Sequence, residues 1–299
     1  MTAPSTLART AVLTATPQRR PMVAFARRAW SQARTKLGAA LVGFLVVLVL
    51  VGPVFAPHST AEFVGVPFSH PTSAAPLGTD YLGRDVLSRF LWGGRSTLGL
   101  ALLATLLGVG LGTVLGLIAA YTRSFVDDVI MRAMDVVLAF PAIILALVAV
   151  STLGPKLWLI VLAAALTTVP RVARVIRAEA MEIVEQDFID AAEAIGISRS
   201  RILIGEILPS VTGSLMIQAS LQLTYAIGLI AGLSFLGFGL QPPAADWGLM
   251  INENRQGLSV QPWGVVMPIL AIALLTIGTS FLGDGFARAS AGIEEKGNQ

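Results

Sequence analysis

The stretch LGAALVGFLVVLVLVGPVFA, Leu37–Ala56, carries no charge in any of its twenty positions. As a helix at 1.5 Å per residue it is about 30 Å long, the thickness of a bilayer's hydrocarbon core. A secretory signal has a shorter apolar core, roughly 7–15 residues, and a small-x-small cleavage site. Neither fits here, so the run reads as a retained first membrane span.

Similar runs recur at Thr97–Ala120, Ala133–Leu153, Leu157–Val172, Val211–Gly239 and Trp263–Leu282. They are continuous and near 20 residues, not alternating segments of ten, so the expected fold is all-α with six transmembrane helices. Composition agrees: 55% of the 299 residues are hydrophobic and 13% charged, too few charges to coat a soluble surface. Mean hydropathy is +0.75. Pro141 is expected to kink span three, and Leu153-Gly154-Pro155 to turn the chain into span four. Span four is the shortest and ends at Arg171, whose long side chain is expected to snorkel to the interface. Span five is long enough to tilt or project.

Six spans put both termini on one side. Arg84, Arg89, Arg95, Lys156 and Arg255 fall on the other side, and the remaining sixteen of the 21 lysines and arginines fall with the termini. The positive-inside rule makes the termini cytoplasmic. It also explains the pI near 9.7 without nucleic acid. The expected organisation is a basic cytoplasmic extension over 1–36, a six-helix membrane domain over 37–289 and a cytoplasmic tail over 290–299.

Between spans four and five, now cytoplasmic, lies DAAEAIGISRSRILIGEILP, Asp190–Pro209. Ile183, Phe188, Ala191, Ala192 and Ile195 give an interrupted apolar face, with Glu182, Glu185, Asp187 and Asp190 on or beside the other. Gly196 can adopt the left-handed conformation that stops a helix. Ser198 can cap the next helix, which Ile202, Ile204, Ile207 and Leu208 carry back to the bilayer. The outcome is a compact knob, either lying on the membrane surface or docking into a partner's cleft.

The spacing Asp190-Ala191-Ala192, Gly196, Ile207-Leu208-Pro209 resembles the coupling motif of ABC importer permeases, with Asp190 where that family usually has Glu. LGTDYLGRDVLSRFLWGGRSTL (Leu77–Leu98), MRAMDVVLAFP (Met131–Pro141), GLSFLGFGLQPPAADWGLMI (Gly232–Ile251) and LGDGFARA (Leu282–Ala289) resemble the C-type permease of dipeptide, oligopeptide and nickel importers. The resemblance runs from about Leu37 to Ala289. It implies a type I importer permease in a bacterial inner membrane, paired with a second homologous permease. Two ATPase subunits, or one fused chain, would bind ATP and magnesium and receive the coupling region, about 182–209, through Asp187, Asp190, Ala191, Ala192, Gly196, Ser198 and Arg199. An extracytoplasmic binding protein would deliver peptide, with Gln241-Pro242-Pro243 helping to receive it. A nickel or other small-solute importer is the alternative.

No lysine among Lys36, Lys156 and Lys296 sits in a phosphate-binding loop, so ATP energy must come from another subunit. Gln218, Gln222 and Tyr225 recur on one stripe of span five, either lining a translocation path or bonding between helices. The Gly108, Gly112, Gly116 series in span two, and Gly228 with Gly232 in span five, permit close helix contacts within the chain or with a second subunit. Asp135 is expected to pair with Arg132. His58 and His70 share one external loop and are too few for a metal site, and there is no cysteine. A secondary transporter would need ionisable groups at mid-membrane, and an intramembrane enzyme a nucleophile–base or carboxylate pair. The spans supply almost none of these.

Overall fold

The computed structural model describes residues 27–122, 124–154 and 156–297, with side chains to residue 290. Arg9, Arg19, Arg20, Arg123 and Pro155, on which parts of the charge and turn reading rest, lie outside the described residues. Ten helices make the framework: α1 (Ala33–Val51), α2 (Val86–Thr122), α3 (Phe125–Leu138), α4 (Ala142–Leu153), α5 (Leu157–Val184), α6 (Asp187–Ala194), α7 (Arg199–Ile202), α8 (Thr212–Phe235), α9 (Trp247–Asn254) and α10 (Trp263–Gly297). Among the described residues, extended pairing amounts to two isolated bridges. Among the described residues five helices are long and apolar enough to cross a membrane, and α3 with α4 makes a sixth when taken as one broken span.

The helices differ from the expected runs in instructive ways. α2 begins at Val86, with Ser88 and Arg89 buried in its first turns, and α5 continues to Val184, well past Val172, with Arg174 and Glu182 exposed on its extension. α8 stops at Phe235, short of Gly239. There Gly237 turns to φ +85°, its N–H bonds Ser234 O, and Phe238 N–H bonds Leu233 O, a left-handed stop. Span three is broken rather than kinked. Its halves meet at 82° across Ala139–Pro141, since proline cannot supply the helical N–H and bars the preceding residue from helix.

The helical core is set by how closely α2 and α5 approach. Buried Gly108, Gly112 and Gly116 form a groove along α2. A Cβ on Gly108 would stand 2.6 Å from Thr168 Cβ, one on Gly112 2.7 Å from Val172 Cβ, and one on Gly116 2.6 Å from the Ala173 carbonyl. These glycines therefore pack within the chain. α1 docks on α10 by the same device, Gly38 against the Gly278 carbonyl. By contrast, a Cβ on Gly228 would touch nothing and one on Gly232 only Ile143, so that stripe of α8 is open. Leu102, Leu103, Leu106, Leu107 and Leu111 cover the outer face of α2 and are exposed.

The end of the bundle holding the long 56–85 loop is closed by a buried ionic cluster. Arg84 Nε lies 2.7 Å from Asp80, Arg89 Nη2 2.7 Å from Glu253, and each arginine also reaches the other's acid at 3.3 Å. Two cations thus face two carboxylates, all nearly inaccessible. Removing one partner of such a cluster typically costs about 3–5 kcal/mol. Glu253 belongs to α9, a helix that the sequence reading did not foresee. Asp246 caps it, accepting from Leu249 N–H and from the Thr97 hydroxyl of α2. Trp247 stacks on Phe90 with ring centroids 5.7 Å apart and donates from its indole to the Phe90 carbonyl. Asp85 caps α2 through Ser88 N–H and hydroxyl. On the same loop His58 is held by the Ala74 carbonyl, which together with Glu62 raises its pKa. No group of three potential metal ligands occurs among the described residues.

The glycine groove gives a paired prediction. Gly112→Leu must push α2 off α5 and should lower the purified protein's stability by about 1–3 kcal/mol, read as a drop in thermal midpoint. Gly110→Leu, where a Cβ meets nothing, should leave it unchanged. Equal effects would mean that the groove does not set the packing.

Candidate functional site

The knob hangs directly from α5. Asp127 on α3 receives two bonds from Arg177, and Asp135 is bonded by Arg174 rather than the expected Arg132. The ion pairs run between helices because α3 lies alongside α5, which brings Arg174 closer than a neighbour one turn away on α3. Glu179 accepts from Ser214 at the start of α8. These links tie α3 and α8 to the stem of the knob.

α6 then ends in a left-handed stop at Gly196, φ +82°. Gly196 N–H bonds Glu193 O at 2.9 Å, and Ile197 N–H bonds Ala192 O at 3.0 Å. A Cβ there would meet no atom, so the demand for glycine comes from the backbone conformation alone. Ser198 occupies the start of α7 in extended conformation, but its hydroxyl caps nothing. Its carbonyl accepts from Arg201 and Ile202 instead. α7 runs through a π-helical turn, Leu203–Ile207, into Leu208–Ser210 and on to α8.

The buried face of the knob is Ile189, Ala192, Ile202 and Ile207, packed with Ile176, Ala180 and Val211. Of the face read from sequence only Ala192 is buried. Phe188, Ala191 and Ile195 share the adjoining stripe and are exposed, Ile195 to 77%. The two stripes lie side by side on a short helix, and only docking on α5 decides which turns inward. Asp187 and Asp190 sit in the first turn of α6, where carboxylates favour the helix dipole. Both are exposed and pair with no base among the described residues. Glu193 accepts from Tyr121 at the end of α2, and Arg199 lies 6.0 Å from that ring. The knob thus exposes two carboxylates, an apolar stripe and Arg199 on a rigid mount.

The span-five stripe divides. Gln222 is buried and donates to Gln218 Oε1 at 3.2 Å, and its own Oε1 has no partner. Tyr225 is 58% exposed and belongs to a cavity of about 540 Å³, which the glutamines do not line. That cavity lies between α4, α5, α8 and α10, and Thr167, Thr168, Thr224 and Thr276 supply its hydroxyls. Sequence reasoning missed its one charged residue, Arg171, whose guanidinium carbon sits 4.7 Å from the Tyr225 ring centre. Arg171 was expected to end a span. It stands thirteen residues before the end of α5, about 20 Å along the helix, so the helix itself runs on past it.

Comparison with known proteins accords with this geometry. The family described as binding-protein-dependent transport system inner membrane component matches residues 112–291. The glutathione transport system permease protein GsiD of Pectobacterium atrosepticum is 38% identical over 219 residues, 73% of each chain. The dipeptide transport system permease protein DppC of Alkalihalophilus pseudofirmus is 35% identical over 270 residues, 88% of each chain. A chain from inward-facing structures of the MetNI methionine ABC transporter superposes with a TM-score of 0.51 at 20% identity, over 67% of this chain and 95% of that one. That likeness bears out the all-α fold of the type I importer permeases. By family match and by identity across most of its length, the chain belongs to the binding-protein-dependent inner membrane components, the non-enzymatic permease subunits of ABC importers.

Proposed function

We propose that this chain is one of two homologous permeases forming the path for di- or oligopeptides in an ATP-driven importer of the bacterial inner membrane. The observation that carries the reading is the exposed knob 187–199, mounted on α5 and stopped at Gly196, with the Asp187 and Asp190 carboxylates unpaired among the described residues. A partner ATPase with a matching groove satisfies those carboxylates and covers Phe188 and Ile195. Because α5 is continuous from the knob to the cavity, displacement of the knob moves Arg171 and the cavity wall. Peptide as the solute is supported by the names of relatives, which include dipeptide and glutathione permeases. The cavity wall, with no carboxylate on it, favours peptide over a nickel ion. The second permease finds an open stripe on α8, where Leu221, Tyr225 and Gly228 are exposed. An extracytoplasmic binding protein would meet the end closed by the Arg84–Glu253 cluster and Gln241–Pro243. ATP and magnesium stay on the ATPase. In this reading both termini and the knob are cytoplasmic.

The absence of native cysteine makes the orientation directly measurable. Ser198→Cys should be protected from an impermeant thiol reagent in intact cells, and Ser73→Cys, on the exposed 56–85 loop, should react. Thr79, buried in that loop, is unsuitable. The reverse pattern would invert the assignment.

Gly196→Val forces a β-branched residue into a left-handed conformation, at a cost of roughly 1–2 kcal/mol, and Asp190→Lys reverses charge on the exposed face. Both variants should insert normally, lose peptide uptake, and lose either bound ATPase or solute-stimulated hydrolysis. Normal transport with parental ATPase retention in both would reduce the knob to a surface loop.

If Gln218 and Gln222 act on the path, replacing both with Leu should impair uptake several-fold in complexes that still co-purify with the ATPase. Unchanged uptake would leave them as interhelical bonding groups.

A further inference from the structure

Arg171, Arg174 and Arg177 follow one another at single-turn spacing on α5, yet they are treated differently. Arg177 is bonded to Asp127 and Arg174 to Asp135. Arg171 has no carboxylate partner among the described residues, and its guanidinium lies over the face of Tyr225. It is partly buried, and it lines both the 540 Å³ cavity and a second one of about 290 Å³ that opens at the break of span three, along Val137–Ala142. Tyr225 lies near the middle of α8, and Thr276 on the same wall lies near the middle of the span Trp263–Ser290, so this charge stands beside the midpoints of two candidate spans. An unpaired cation there is costly and marks a solute route by default. Irregular backbone at this depth, such as Ala139–Pro141, is tolerated only where it is buried in protein or lines a cavity.

We propose that Arg171 is a station for the carboxylate of the transported solute, the C-terminal carboxylate when the solute is a peptide. The inference rests on the peptide-import reading and adds to it the group that is read. A guanidinium offers a planar pair of N–H donors that match a carboxylate's two oxygens. Thr167, Thr168 and Thr224 each donate their hydroxyl hydrogen to a helix carbonyl, which leaves the oxygens to accept from peptide N–H groups without selecting a side chain. No acidic residue lines either cavity, so the peptide's ammonium group finds no counterpart there. One fixed positive charge therefore orients every peptide the same way, whatever its sequence, because the terminal carboxylate is its invariant anion. The first residues of α4, Ala142 and Ile143, line the same wall, and the positive end of that half-helix adds to the potential. Tyr225 gives the guanidinium a weak substitute partner when the cavity is empty. Release is then an exchange between partners, and the solute is not trapped.

The test uses the whole transporter, both permeases with the ATPase and the binding protein, in proteoliposomes. Uptake of alanyl-alanine is compared with that of its C-terminal amide for the parent, Arg171→Gln and Arg171→Lys. The binding protein reads the same terminus, so the acid-to-amide ratio of each variant is divided by that of the parent. Saturation-transfer NMR follows both peptides on the permease–ATPase complex without binding protein. The expected result is a ratio about tenfold lower for Arg171→Gln, a smaller fall for Arg171→Lys, and loss of the saturation signal from the acid but not from the amide. A ratio and an acid signal unchanged in Arg171→Gln, whether or not total uptake falls, would overturn the proposal and make Arg171 a packing residue or the partner of an acid on the second permease. Import of neither peptide by the parent would sink the peptide reading itself, and this inference with it.

Discussion

The close crossing of α2 and α5 is the contact on which the rest depends. In hydrocarbon, helices gain nothing by hiding apolar surface from lipid, so association rests on packing and on polar links. Gly108, Gly112 and Gly116 remove the side chains that would hold the backbones apart, and Thr168, Val172 and Ala173 fill the groove. Once α5 is seated, Arg174 and Arg177 reach α3, Glu179 reaches α8, and Ile176 with Ala180 forms the floor under the knob. Loosening the groove would move every one of these partners together.

The two ends of the bundle achieve rigidity by different chemistry. One end uses a balanced set of buried charges, in which Arg84 and Arg89 share Asp80 and Glu253, braced by Trp247 against Phe90. Such a set is poor evidence for stability in itself, but each member becomes very costly to remove alone. The other end uses apolar packing around Ile189, Ile202 and Ile207 and a glycine stop. Its charges stay exposed, where a partner can meet them. Between these ends lie the broken span and the cavity, where Arg171 has no carboxylate partner among the described residues and stands over the Tyr225 ring.

Much of this was written in one dimension. Long uncharged runs fixed the class and nearly every span, because a membrane helix must satisfy its own backbone and advertise itself by length. Gly196 was legible as a helix stop because a left-handed residue has so few candidates. Pro141 was legible as a disturbance. The motifs around Asp190 and Leu77–Leu98 pointed to the family before any coordinate was known. The absence of a phosphate loop was equally plain.

What only the tertiary structure decided concerns partners and faces. Asp135 had Arg132 within reach along its own helix, yet bonds Arg174, because a neighbouring helix lies closer than the next turn. Ala191 and Ile195 looked as apolar as Ile189, and docking on α5 chose which stripe to bury. α9 was invisible as a short stretch of mixed polarity, since its stability comes from Asp246, Trp247 and Glu253 finding partners far away in the chain. Arg171 was read as closing a span, and only the packing of α5 beside α8 puts its guanidinium over Tyr225. Local sequence carries the cost of a conformation at each residue. Which polar group meets which is a property of distance in space, and that is settled only when α2 and α5 have closed on each other.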